Sequence, residues 1–197
     1  MKKSAYKIGI TGHRDLKKSS IKYYQNKVHT LLLALQEKQK YIIVYSPLAD
    51  GSDRLIVKEA IKLNIPYIAV LPIPIESYVM DFNEKSKEEF LALLDKSNEV
   101  ITLTLCKGNT LENIAIYGKE RDAQYEAVGY KIADISDRLI ALWDGKQIDL
   151  KGGTGEIVEY FKEREKGILS HLLVARNGDS KSIMVKFKHF NMGYDDG

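Results

Sequence analysis

The run Tyr6-Lys7-Ile8-Gly9-Ile10-Thr11-Gly12-His13-Arg14 decides the fold. Tyr6 to Thr11 reads as a short buried strand, and Gly12-His13-Arg14 closes it with turn-forming and polar residues. A helix is expected next, from about Ser20 to Gln39, because Ile21, Tyr24, Val28, Leu31, Leu32 and Leu35 recur at three- and four-residue spacing. Ser19 or Ser20 is the expected N-cap. Tyr41 to Tyr45 is then a continuous apolar run of β-branched and aromatic residues, the mark of a strand buried on both faces.

The same alternation continues outward. A helix from Ser52 to Leu63 stops at Asn64 and leads into a strand, Tyr67 to Leu71, broken by Pro72 and Pro74. Glu84 to Lys96 is a helix with Phe90, Leu91 and Leu94 facing inward, and Val100 to Leu105 is a fourth strand. Residues 107–120 are irregular, Arg121 to Ile135 is helical, and Leu139 to Trp143 is a fifth strand ended by Asp144-Gly145. Gly152-Gly153-Thr154-Gly155 opens a helix over Glu156 to Lys166. His171 to Ala175 and Ile183 to Phe187 are closing strands joined by Asn177-Gly178-Asp179, one of them a candidate antiparallel edge. Strands alternating with helices imply an α/β, Rossmann-like domain: a mostly parallel sheet with helices on both faces. One domain is expected over residues 1–190, with a flexible tail at 191–197.

The composition agrees with this class. The chain has 197 residues, 44% hydrophobic and 29% charged, enough for one soluble domain with a sizeable core. No uncharged stretch is long enough to cross a membrane, and the N-terminus lacks the apolar core of a secretory signal. A single cysteine, Cys106, excludes an intramolecular disulfide framework and reads as a small buried hydrophobe. A cytoplasmic protein is expected. Residues 1–40 hold ten Lys/Arg against Asp15 and Glu37, while the rest carries 20 positive and 25 negative charges. That basic segment either meets phosphates or is a solvated helix face.

In a sheet of this kind ligands lie at the carboxyl ends of the strands, where the connections switch sides. The rule selects Gly12, His13 and Arg14 after the first strand, and Asp50, Gly51, Ser52, Asp53 and Arg54 after the second. After the fifth it selects Trp143, Asp144 and the loop Gly152, Gly153, Thr154, Gly155. Three glycines at a helix start allow close backbone approach, and the N–H groups there favour phosphate. A tight turn is the competing reading. No Gly-Lys-Ser/Thr follows, so the loop is not a Walker loop, and Gly9 to Arg14 lacks the third glycine of the dinucleotide fingerprint. Arg14 and Arg54 are candidate phosphate or ribose contacts, or else ion-paired. Ser52 or Asp53 is also a helix cap. His13 is a candidate hydrogen-bond donor or proton shuttle, and Trp143 a stacking surface or a core residue. Glu156 and Glu159, three apart, both approach the loop; a carboxylate beside a sugar either binds hydroxyls or acts on an N-glycosidic bond. Neither a metal site nor a cofactor is expected.

Four segments in order resemble the SLOG superfamily: Lys7 to Leu16, Leu48 to Arg54, Asp137 to Gly145 and Lys151 to Glu159. The superfamily includes the LOG-type phosphoribohydrolases, the DNA-processing protein A fold and the ligand-sensing region of melastatin-type TRP channels. The resemblance spans residues 7 to about 160. It implies a nucleotide-ligand site. The hydrolases carry Pro-Gly-Gly-x-Gly-Thr-x-x-Glu, matched here by Gly152, Gly153, Gly155 and Glu159, but Lys151 stands at the proline and Glu156 at the threonine. Residues Asp144 to Leu150 are inserted before it. The position of the hydrolases' arginine falls on Val128, leaving Arg121, further upstream, as the substitute. The resemblance therefore implies Glu159 and Arg121 as the catalytic pair if the protein is an enzyme.

Two functions from different classes follow. The first is binding of a nucleotide-derived small molecule, as a sensor that needs an effector protein or self-association for its output. A homodimer is implied by the resemblance. The second is N-glycosidic hydrolysis of a nucleotide or nucleoside, with Glu159 near the bond and Arg121 or Arg14 on the phosphate. Single-stranded DNA binding, from the basic first 40 residues, ranks last, because the site is mixed in sign and suits a sugar–phosphate ligand.

Overall fold

A computed structural model describes residues 5–146, 152–164 and 166–177. Six strands form one sheet in the order β4-β3-β2-β1-β5-β6, every pairing parallel. They are β1 (Tyr6–Gly12), β2 (Ile42–Ser46), β3 (Tyr67–Leu71), β4 (Glu99–Thr102), β5 (Arg138–Trp143) and β6 (Ile168–Leu173). The helices are α1 (Ile21–Lys38), α2 (Ser52–Lys62), α3 (Ile75–Tyr78), α4 (Glu84–Asp95), α5 (Lys119–Ile135) and α6 (Thr154–Glu163), with short 3-10 turns at Lys18–Ser20 and Val79–Asp81. The chain winds from β1 outward to β4, then returns to the other side of β1 for β5 and β6. This doubly wound order puts the switch point between β1 and β5.

Period-two alternation divides the strands between two apolar layers. Ile8, Ile10, Val44 and Leu142 pack with Val28 and Leu32 of α1 and Ile56 of α2. On the opposite face Ile43, Ile68 and Val70 meet Val128 and Ile132 of α5, while Leu139 meets Ile157 and Phe161 of α6. Each such side chain contributes about 1.5–3 kcal/mol on burial. Strands covered on both faces must be apolar throughout, which is why β2, β3 and β5 were legible as continuous runs.

The structure corrects several expectations. In α4 the buried residues are Phe90 and Leu93, whereas Leu91 is exposed. The β4 strand is shorter than expected and lies at the sheet edge with Val100 exposed. α6 is shorter too, because Gly167 takes φ +86° and Ile168 starts β6, which runs parallel to β5 along its whole length. An antiparallel contact exists in the isolated bridge of Leu16 with Arg176. Ser20 occupies the N-cap position of α1 without a side-chain capping bond. Cys106 is half-buried rather than buried. The expected strand over Ile183 to Phe187, Gly178 and Asp179 of its joining turn, Lys151 and the tail at 191–197 lie outside the described residues. No helix among the described residues is long and apolar enough to cross a membrane.

Candidate functional site

The turn after β1 is fixed by its neighbours on both sides. His13 donates its backbone N–H to Leu142 O at the end of β5 (2.9 Å). Ser52, at the start of α2, donates both Oγ–H (2.7 Å) and N–H (3.1 Å) to His13 O. Gly51 stands at φ +76°, where a Cβ would come within 2.3 Å of Arg14 O, so the loop after β2 presses directly on this turn. Ser52 and Gly51 thus hold the site's frame and contribute no surface to the cleft.

Across the switch point, α6 begins with Gly153 as N-cap and Gly152 at φ +70°. Glu156 caps this start from inside the helix. Its Oε2 accepts the Gly152 N–H (2.6 Å) and its Oε1 accepts the Tyr130 hydroxyl (2.8 Å). This is the reciprocal half of a capping box, reaching one residue further back than usual. The Glu156 carboxylate is therefore tied to the glycine loop, and the first N–H groups of α6 keep the positive end of the helix.

Between the two loops lies a cleft of about 740 Å³. One wall is Gly12, His13 and Arg14; the other is Gly152 to Gly155. Lys119, Lys146 and Arg176 add cations at the rim, and Tyr117 and Tyr125 add aromatic surface. Asp15, Asp122 and Glu126 also line it, so the cleft is mixed in sign. The Arg14 guanidinium stands 5.7 Å from the centre of the Tyr125 ring. Tyr117 is 74% exposed, free on one face to stack.

Behind this wall, Asp144 supports His13. Its Oδ1 lies 3.1 Å from His13 Nε2 and accepts the Lys146 N–H (3.0 Å). Arg176 reaches Asp144 Oδ2 at 3.9 Å and pairs with Asp15 at 2.9 Å. Burial alone would raise the Asp144 carboxyl; the Lys146 N–H and the His13 ring outweigh it and hold the group below its ordinary value. Asp144 therefore positions His13 and Arg176.

Several sequence-selected residues lie elsewhere. Arg54 is buried: it donates to Leu48 O (2.9 Å) and Ser86 (2.8 Å to Oγ), pairs with Asp50 (2.7 Å) and lies over the Phe82 ring. Asp50 also accepts from Ser86 Oγ (2.6 Å). This network ties α2 to α4 and is a structural ion pair. Trp143 is 5% exposed and packs against Ala141 and Val158, so the indole belongs to the core. Arg121 is held by Asp81, Tyr125, Ile114 O and Ser77 O beside α3, and does not line the cleft. Glu159 lies on the second turn of α6 and pairs with Lys162 at 2.6 Å, also outside the cleft. Sequence reasoning missed Lys119, Lys146, Arg176, Tyr117 and Tyr125. No motif marks them, because they converge from α5, the loop before it, the loop after β5 and the segment after β6.

The comparisons bear on this geometry. No protein-family model matches the sequence, and neither does any curated protein. DNA processing protein A (DprA) from Streptococcus pneumoniae has a solved structure that superposes with TM-score 0.54 at 15% identity, covering 83% of this chain and 49% of that one. DprA from Helicobacter pylori, solved for its single-stranded DNA binding mode, gives TM-score 0.51 at 15% identity, covering 84% and 65%. The likeness is one of fold, a Rossmann-like α/β sheet. A molybdenum cofactor carrier protein from Chlamydomonas reinhardtii is also similar, with TM-score 0.37 at 14% identity over 85% of this chain and 90% of that one. The chain spans less than two thirds of the length of either DprA structure. What the fold supplies is the frame: a switch point with a glycine-opened helix on one side and a polar turn on the other.

Proposed function

We propose that the protein binds a nucleotide or nucleotide-derived ligand, of the ADP-ribose or NAD kind, at the carboxyl ends of β1 and β5, and that it acts as a sensor. The observation that carries this reading is the pairing of the glycine-opened start of α6 with Arg14, Lys119, Lys146 and Arg176 around one cleft. Helix-start N–H groups and these cations suit a diphosphate. The exposed face of Tyr117 suits a base, a role that buried Trp143 cannot take. The carboxylates of the cleft suit sugar hydroxyls. A sensor delivers its output through a second copy or an effector protein, so ligand-dependent association belongs to the same reading.

Two observations weigh against N-glycosidic hydrolysis by the expected pair. Glu159 stands away from the cleft, and Arg121 is held in a buried ion pair with Asp81. Calorimetry against NAD, ADP-ribose, cyclic ADP-ribose and nucleoside monophosphates tests the proposal, with light scattering for association. Saturable one-site binding of at least one of them is expected. A folded sample that binds none of them, or that instead binds oligonucleotides with steep salt dependence, overturns it.

A further inference from the structure

Beneath the cleft lies a narrower compartment of about 100 Å³. It shares Gly12, Arg14, Tyr125, Gly152 and Thr154 with the cleft above, so a ligand at the start of α6 stands at its mouth. Its inner end is closed by Ile10, Val128, Ile132 and Ile157, all buried. A water needs about 10–15 Å³, so the space takes about one small ring with its substituents and nothing longer.

Two buried polar side chains face this space, Asp53 (4% exposed) and Tyr78 (1% exposed). The Tyr78 ring is fixed edge-on against Phe82 and Phe90. Asp53 Oδ2 accepts the Ala49 N–H at 3.2 Å. Burial pushes the Asp53 carboxyl up to about 7, against the opposing charge of Arg14, and it keeps the Tyr78 hydroxyl protonated. The network of Asp50, Arg54, Ser86 and Glu89 binds α2 to α4.

The chemistry of this lining eliminates most occupants. A phosphate group would be buried against Ile10, Val128, Ile132 and Ile157 with Arg14 as its one cation, and an ammonium group would face Arg14. A hydrocarbon would offer no hydrogen bond to Asp53, Tyr78 or Arg14. What remains is an uncharged group that both donates and accepts hydrogen bonds, and with the base placed at Tyr117 in the reading above, that group is a sugar.

We propose that this compartment is a subsite for the terminal pentose of a phosphate-linked ligand, with Asp53 and Tyr78 binding its hydroxyls and Arg14 at the mouth beside the phosphate. The proposal rests on the nucleotide reading of the cleft and narrows it: the ligand ends in a sugar on the inner side, with no base attached there.

Calorimetry with ADP and ADP-ribose tests it, because these differ by one terminal pentose. The wild-type protein binds ADP-ribose at least about tenfold more tightly than ADP, the factor expected of one or two hydrogen bonds to buried or charged groups. In Asp53→Asn, which keeps an acceptor for Ala49, and in Tyr78→Phe, which keeps the ring packing, that preference falls to within about threefold. Thermal melts of both variants show whether each is folded. Equal binding of the two ligands by the wild type, or an undiminished preference in folded variants, overturns the subsite while leaving the nucleotide cleft. Binding of neither ligand by the wild type removes the nucleotide reading and the subsite together.

Discussion

Arg121 Nη2 lies 2.6 Å from Asp81 Oδ1, and both side chains are 3% exposed. The Tyr125 and Tyr117 hydroxyls also donate to Asp81, and Arg121 donates to Ser77 O and Ile114 O. One carboxylate thus gathers the start of α5, the turn after α3 and the loop between them, and it places two tyrosines at the cleft. An arginine whose partners are this complete is a joint of the fold.

Asp81→Ala is expected to cost about 3–5 kcal/mol, because it leaves the Arg121 charge buried without its partner. Urea unfolding measures this. A loss under about 1 kcal/mol would show that the pair is not a joint.

The fold was legible because its decisive residues are local in sequence. The apolar runs of β2 and β3, the three-and-four spacing of α1 and the glycines before α6 each announce their element. The site was half legible for the same reason. Gly12, His13, Arg14 and Gly152 to Gly155 follow strands directly, so the carboxyl-end rule reaches them. Arg54 and Asp50 obey that rule too, yet they serve the contact with α4, since burial and partner choice are tertiary facts. Arg176 approaches the cleft through the bridge to Leu16, a contact across the chain that no spacing records.

Glu156→Ala is expected to destabilise the protein by about 1 kcal/mol, the usual worth of a helix cap. The Gly152 N–H and the Tyr130 hydroxyl lose their acceptor together. The glycine loop then loosens, so ligand affinity falls along with stability. Thermal melts and calorimetry on the same sample check both; unchanged affinity in a destabilised variant would separate the loop from the ligand.

Glu159→Gln is expected to alter stability by less than about 1 kcal/mol, because its ion pair with Lys162 is partly exposed. Ligand affinity is expected to stay within about twofold of wild type, well under the tenfold that 1.4 kcal/mol represents. A nucleotide-hydrolysing activity abolished by this substitution would overturn the geometry described above, since it would require Glu159 at the reacting bond.

Asp53 predicts a pH dependence of stability with an unusual sign. Its carboxyl is raised from an ordinary 3.8 to about 7 by burial, despite Arg14, the Ala49 N–H and Arg54. The folded state therefore holds this proton more tightly than the unfolded chain does. Stability from this group is complete below the unfolded value and is lost as pH rises from about 4 through about 7, by up to about 4 kcal/mol. Most carboxylates act in the opposite direction, so the group shows as a decline toward neutral pH that Asp53→Asn removes. The asparagine keeps an acceptor for Ala49, carries no charge to bury, and is expected to melt higher than wild type at pH 8 and about equally at pH 4. Thermal melts across this range decide it. A variant less stable than wild type at pH 8 would mean that Asp53 is held ionised by Arg14, and that the inner compartment is lined by a charge pair rather than by a protonated carboxyl.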